Sequence, residues 1–217
     1  MRVPVMSPEL FAPFDGIQDV FAMARDENLR LLWANEEFLR FLGQTLEQAL
    51  GTDLTPHFPA AFVQDRIERL GPAIRGESTV AYYQLLRGQR RFTRAWPLDP
   101  DSFGCRGVFI LITPALEAPA MEEGDLFPVA GQADYHDLEV LSDRELEVLY
   151  HLATGLSAKE IAAKLFRAPS TIERHIESIH AKLGFSNRAE LVRFVVERGL
   201  LGFTPEEWTL MIESTRK

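Results

Sequence analysis

A single cysteine, Cys105, stands in 217 residues, so no internal disulfide can form and any core must hold by packing alone. No apolar run approaches the roughly 20 residues that span a bilayer. The stretch after Met1 lacks the charged, apolar and small-residue order of a secretory signal. These absences point to a reducing cytoplasm and to no membrane partner. No Gly-rich phosphate loop, Gly-x-Ser-x-Gly elbow or His-Glu-x-x-His motif occurs, which argues against an enzyme. His175 and His180 have no cysteine near them to complete a zinc set, so no metal site is expected.

What is present is ordinary for one or two globular domains: 46% hydrophobic and 25% charged residues, with a net charge of -9. The informative stretch is 141–192. Ser142 with Glu145 and Ser157 with Glu160 each form the S-x-x-E pattern that opens a helix. Gly155 between them supplies a left-handed stop. A third helix is predicted from Pro169, a residue suited to a first turn because it has no N–H to leave unpaired. Ile172, Ile176, Ile179 and Leu183 recur on one face of it, and Gly184 ends it. Opposite lie Ser170, Thr171, Glu173, Arg174, Glu177 and Ser178, a polar surface free to meet a partner. A fourth helix follows from Asn187 and buries Leu191, Phe194 and Val195. Two short helices joined by a turn, with the second exposing a polar face, fit the helix-turn-helix plan, whose recognition helix enters the major groove. A small helical bundle with no DNA role has the same spacing.

The strings LSDRELEVL, ATGLSAKEIAAKL, STIERHIESIHAKLG and NRAELV, in that order and spacing, resemble the C-terminal DNA-binding domain of the LuxR/FixJ/NarL regulators. The resemblance covers about sixty residues. It implies a four-helix domain that binds double-stranded DNA as a homodimer, with Ala168 to Leu183 as recognition helix. Three positions depart from the family's habit: Ala168 stands where a Ser or Thr cap is common, and Glu173 and Glu177 stand where bases are common. Ser170 with Glu173 offers a capping box one turn later. The two carboxylates repel phosphate, yet a carboxylate also accepts from a cytosine amino group.

From 141 to 200 nine Lys and Arg face eight Asp and Glu, a net of +1 that is low for a DNA module. Because phosphate neutralisation supplies most non-specific affinity, a single copy is expected to bind poorly. Arg174 is the base-contact candidate, being long, cationic and mid-helix. Lys159, Thr171, Lys182 and Arg188 are candidates for phosphate contacts.

Upstream, 20–25 and 29–33 flank Asp26-Glu27-Asn28 as a hairpin pattern. Asn35 can cap a helix that turns Phe38, Leu39 and Leu42 inward and closes at Gly43. Residues 62–74 form an amphipathic helix through Ile67, Leu70 and Ile74. Three strand-like runs follow: TVAYYQLL, RRFTRAWPL and GVFILIT. This order, with WANEEFLRFLG and Gly51, resembles the PAS sensor fold over about residues 15–115. The resemblance implies a sheet curled over helices that encloses a ligand or serves dimerisation. Candidate pocket residues are Trp33, Phe38, Tyr82, Tyr83, Trp96 and Phe109, with plain core packing as the simpler role. The cofactor is unknown: no reactive-cysteine motif of the flavin photosensors follows Gly51, Cys105 reads as a structural thiol, and His57 is not where haem-binding relatives place their ligand.

The expected class is therefore α+β, a PAS-like five-stranded antiparallel sheet with helices followed by an all-α LuxR-type domain. The organisation reads as an N-terminal segment (1–14), a sensor or dimerisation domain (15–115), a Pro, Ala, Gly and acid-rich linker (116–137), the helix-turn-helix domain (138–202) and a helical extension (203–217) opened by Thr204-Pro205-Glu206-Glu207. Asp15, Asp26 and Asp53 are not arranged like the acidic pocket of a phosphorylated receiver. The chain reads as a sequence-specific transcription regulator under PAS-like control, with RNA polymerase as a further candidate partner. The alternatives are a sigma-factor-like promoter reader, and a PAS-based protein-interaction scaffold with weakened DNA binding.

Overall fold

The computed structural model describes residues 7–116 and 127–216. They divide into two compact units, one holding 7–83, 91–114 and 127–130, the other 84–90, 115–116 and 131–216.

The first unit is built on a five-stranded sheet in the order β2-β1-β5-β4-β3. The strands are β1 (Phe21–Asp26), β2 (Leu31–Ala34), β3 (Val80–Leu86), β4 (Gln89–Pro97) and β5 (Gly107–Pro114). The central β5 pairs antiparallel with both β1 and β4. Between β2 and β3 lie α1 (Glu36–Leu42), α2 (Leu46–Ala49) and α3 (Ala60–Ile74), and α4 (Pro100–Phe103) follows β4. This is the PAS-like arrangement expected from the sequence. Asn35 does more than cap α1. Its Oδ1 accepts from the backbone N–H groups of Phe38 and Ala22, each at 3.1 Å, while its Nδ2 donates to Phe14 O at 3.0 Å and Val20 O at 2.8 Å. One buried amide therefore ties the helix start to β1 and to the N-terminal segment.

One expectation for this unit is corrected. Ile67 was placed on the buried face of α3, but it is 43% exposed, whereas Arg66 is only 4% exposed. The Arg66 guanidinium lies 4.0 Å from the centre of the Phe62 ring and pairs with Asp65. Cation–π attraction and an ion pair offset the burial of its charge, so the face runs Phe62, Val63, Arg66, Leu70, Ala73. The N-terminal segment is also part of the core: Phe11 is 4% exposed and packs with Ala22, Ala24, Leu98 and Phe109.

Segment 127–130, within the expected linker, runs beside β3: Tyr83 N–H donates to Pro128 O at 2.9 Å and Ala130 N–H to Tyr83 O at 2.8 Å. Of that linker's acids, Glu122, Glu123 and Asp125 lie outside the described residues.

The second unit contains α5 (Asp143–Ala153), α6 (Ala158–Lys164), α7 (Pro169–Leu183), α8 (Arg188–Glu197) and α9 (Pro205–Thr215). Ser142, Ser157 and Thr204 all make the reciprocal capping box that their S/T-x-x-E sequences promise. Its core is centred on Trp208, 2% exposed, whose Nε1 donates to Leu146 O at 3.0 Å and whose ring stacks on Tyr150. Residues 131–137, also read as linker, belong to this unit. Tyr135 is fully buried edge-to-face with Trp208, Gln132 Nε2 donates to Ser214 O at 2.7 Å, and Asp137 pairs with Arg198 at 2.6 Å. Residues 84–90 pack here as well: Gly88 N–H donates to Asp134 O and Arg90 N–H to Arg198 O. Among the described residues no helix is long and apolar enough to cross a membrane.

Candidate nucleic-acid interface

The geometry of α7 follows from its burial. Ile172 and Ile179 are fully buried, while Ile176 and Leu183 are only half-buried, so the anchoring stripe is narrower than the four-residue pattern implied. Opposite this stripe Ser170, Glu173, Arg174 and Glu177 are exposed, and Thr171 and Ser178 are half-buried. The helix begins at Pro169 with Ala168 as an N-cap that makes no side-chain hydrogen bond. Its first-turn N–H groups thus lack the side-chain cap present on α5 and α6.

The structure separates the expected cations into two groups. Lys159, Arg174, Lys182 and Arg188 are all exposed, and what distinguishes them is their contacts within the unit. Lys182 donates from Nζ to Glu145 Oε2 at 2.6 Å, and Arg188 donates from Nη2 to Leu152 O at 2.9 Å and Leu156 O at 3.1 Å, capping the end of α5. Glu145 is the hub of the first arrangement. Burial pushes its carboxyl up, but bonds from Lys182, Ser178 and the Ser142 cap outweigh this and bring it down to about 2. Sequence reasoning gave Glu145 only the capping role, because its contact with Lys182 joins residues 37 positions apart.

A residue not singled out from the sequence also stands at this surface. Phe166, in the turn between α6 and α7, is 88% exposed and holds φ at +53°. Arg167 beside it is exposed too. The available signal was the short four-residue connection itself, 165–168, which needs a left-handed residue and contains no glycine.

The six aromatic residues proposed to line a PAS pocket do not converge, which corrects that expectation. Trp33, Trp96 and Phe109 share one sheet face, where Phe11 fills the space 4.9 Å from Trp33 and 4.8 Å from Phe109. Phe38 packs with Phe21 and Phe41. Tyr82 faces Arg66 and Arg69, and Tyr83 packs on Phe92. Strand periodicity is the reason: Tyr82 and Tyr83 are consecutive in β3 and must point to opposite faces. Cys105 is half-buried, its thiol pushed up by burial and by the nearby Asp26 and Glu27.

Two helices joined by a tight turn, the second anchored by a thin apolar stripe and exposing a polar face, define a helix-turn-helix module. Residues 139–195 match the family described as bacterial regulatory proteins, luxR family. Over 65 residues the chain is 45% identical to the oxygen regulatory protein NreC of Staphylococcus aureus, a match covering 30% of this chain and 30% of NreC. The chain thus spans under a third of the length of these curated relatives. Among solved structures, the VqmA–ligand–DNA complex of Vibrio cholerae is 18% identical over 92% of both chains with a TM-score of 0.47. The PAS domain of BvgS from Bordetella pertussis is 20% identical over 50% of this chain and 85% of its own, with a TM-score of 0.40.

Proposed function

We propose that this chain is a bacterial transcription regulator that binds specific double-stranded DNA through α7, under the control of its PAS-like unit. The observation that carries the reading is the exposed polar face of α7, borne on a domain that matches the luxR family. Arg174 is assigned to a base edge, and Lys159, Ser170, Thr171 and Ser178 to the phosphates or groove wall. Glu173 and Glu177 lower general affinity and select the bases they can accept from. Lys182 and Arg188 act chiefly by fixing α7 and the start of α8 to α5. With net charge near zero in the module, two copies acting together supply what one lacks. The reading is of a cytoplasmic regulator rather than a catalyst. The luxR match favours it over the sigma-factor-like alternative.

Selection from a random duplex pool with the full chain, at about 150 mM salt, tests the proposal. Enrichment of a defined sequence, lost in Arg174→Ala, is the expected outcome. A folded chain that enriches no sequence refutes it and favours the interaction scaffold.

A further inference from the structure

Resting on the DNA-binding reading above, we propose that Phe166 is an apolar DNA contact at the edge of the major groove, reached from the turn that leads into α7.

The turn is a Schellman closure of α6. Arg167 N–H donates to Ala162 O at 2.9 Å and Phe166 N–H to Ala163 O at 3.4 Å, with Phe166 in the left-handed position. Helix ends in the same unit fill the equivalent conformation with glycine: Gly155 at φ +97°, Gly184 at +73° and Gly199 at +67°. Glycine suits it because a Cβ there crowds the following carbonyl. At the end of α6 the chain instead carries one of its bulkiest apolar residues, and that side chain is 88% exposed. Among the described residues it is by far the most exposed large hydrophobic residue, the next being Leu210 at 54%. The isolated domain therefore bears both an unfavourable backbone conformation and a solvated aromatic ring, and its own packing returns little for either. Strain of this kind in a native structure points to a role outside the fold.

Position identifies the partner. In helix-turn-helix docking the first helix crosses the DNA backbone and the N-terminal residues of the second meet base edges. The connecting turn therefore passes from the phosphate ridge toward the groove. Residues 166–170 are all exposed, so Phe166 is continuous with the surface that meets DNA. An aromatic ring there meets deoxyribose carbons and thymine methyl groups, which are apolar features of a groove wall. Such a contact also suits a recognition face that carries Glu173 and Glu177 and is poor in free cations, because it adds affinity without neutralising phosphate.

The test measures binding of the full chain to the duplex it selects and to a scrambled duplex, over a salt series, with thermal melting of each variant. Phe166→Asn and Phe166→Gly tolerate the left-handed conformation, so their melting temperatures should match or exceed the parent's. Affinity for the selected duplex should fall by about five- to twentyfold, with an unchanged slope of log K against log salt because no phosphate contact is lost. A folded Phe166→Asn chain that binds the selected duplex as tightly as the parent overturns the proposal alone, and so does a loss accompanied by a shallower salt slope. A parent chain that selects no sequence overturns the DNA-binding reading and this proposal with it.

Discussion

Replacing Glu145 with Gln removes one charge from the contact that joins α5 to α7, and its cost follows from the depressed acidity of the carboxyl. Glu145 is 4% exposed. Its ionised form is held by Lys182, Ser178 and Ser142, so that its folded pKa is about 2 against an ordinary 4.5. At about 1.4 kcal/mol per tenfold this corresponds to about 3 kcal/mol of stability. The sign follows from the direction: because the folded value is lowered, the contribution is complete above about pH 5 and is lost as the pH falls toward 2. At pH 3 the unfolded chain already holds the proton and the folded chain does not, leaving about 1.4 kcal/mol. Glu145→Gln should therefore destabilise by about 2–3 kcal/mol at pH 7, and the gap to the parent should shrink by about half or more at pH 3. The assay is urea unfolding followed by indole fluorescence with Trp33 and Trp96 changed to Phe, so that Trp208 alone reports on the second unit. A gap under about 1 kcal/mol at pH 7, or one that does not change with pH, refutes the assignment of Glu145 as a charged tether.

Gly199→Ala and Gly184→Ala form a matched pair, since both glycines have positive φ but only Gly199 would bring its Cβ within 2.5 Å of Ala115 O. Thermal unfolding should show a cost of about 1–2 kcal/mol at Gly184, from conformation alone, and a clearly larger one at Gly199. Equal costs would mean that the Ala115 segment yields freely. Trp208→Ala should cost about 3–5 kcal/mol in urea unfolding, because it empties the centre of the second unit and removes the indole bond to Leu146 O; a loss under about 1 kcal/mol would mean that α9 is dispensable. Glu173→Lys with Glu177→Lys should strengthen binding to a scrambled duplex and steepen the salt dependence by a slope of about 2. No salt-sensitive change would show that this face does not approach DNA.

Local signals in the sequence were legible at most helix ends, although the Ser170–Glu173 box does not cap α7, which starts at Pro169 with Ala168 as its N-cap. Capping boxes at Ser142, Ser157 and Thr204, the Asn35 cap and the stops at Gly43 and Gly184 each depend on a few adjacent residues, so spacing alone revealed them. The strand runs and the polar face of α7 were equally legible, because side-chain periodicity fixes which residues share a face. The candidate interface was legible as a face but not as a set of free groups. Lys182 and Arg188 look like open cations in the sequence, and their partners lie 37 and 36 residues away.

The sequence by itself determined the helix-turn-helix string, the two-strand, helix, three-strand order and the near-neutral charge of the recognition module, all consequences of residue type and spacing. Only the tertiary structure decided which groups remain available. It buried Arg66 instead of Ile67, filled one sheet face with Phe11, drew 131–137 into the helical unit and left Phe166 in solvent. Each of these outcomes depends on partners distant in sequence, where burial, ion pairing and backbone conformation are settled together.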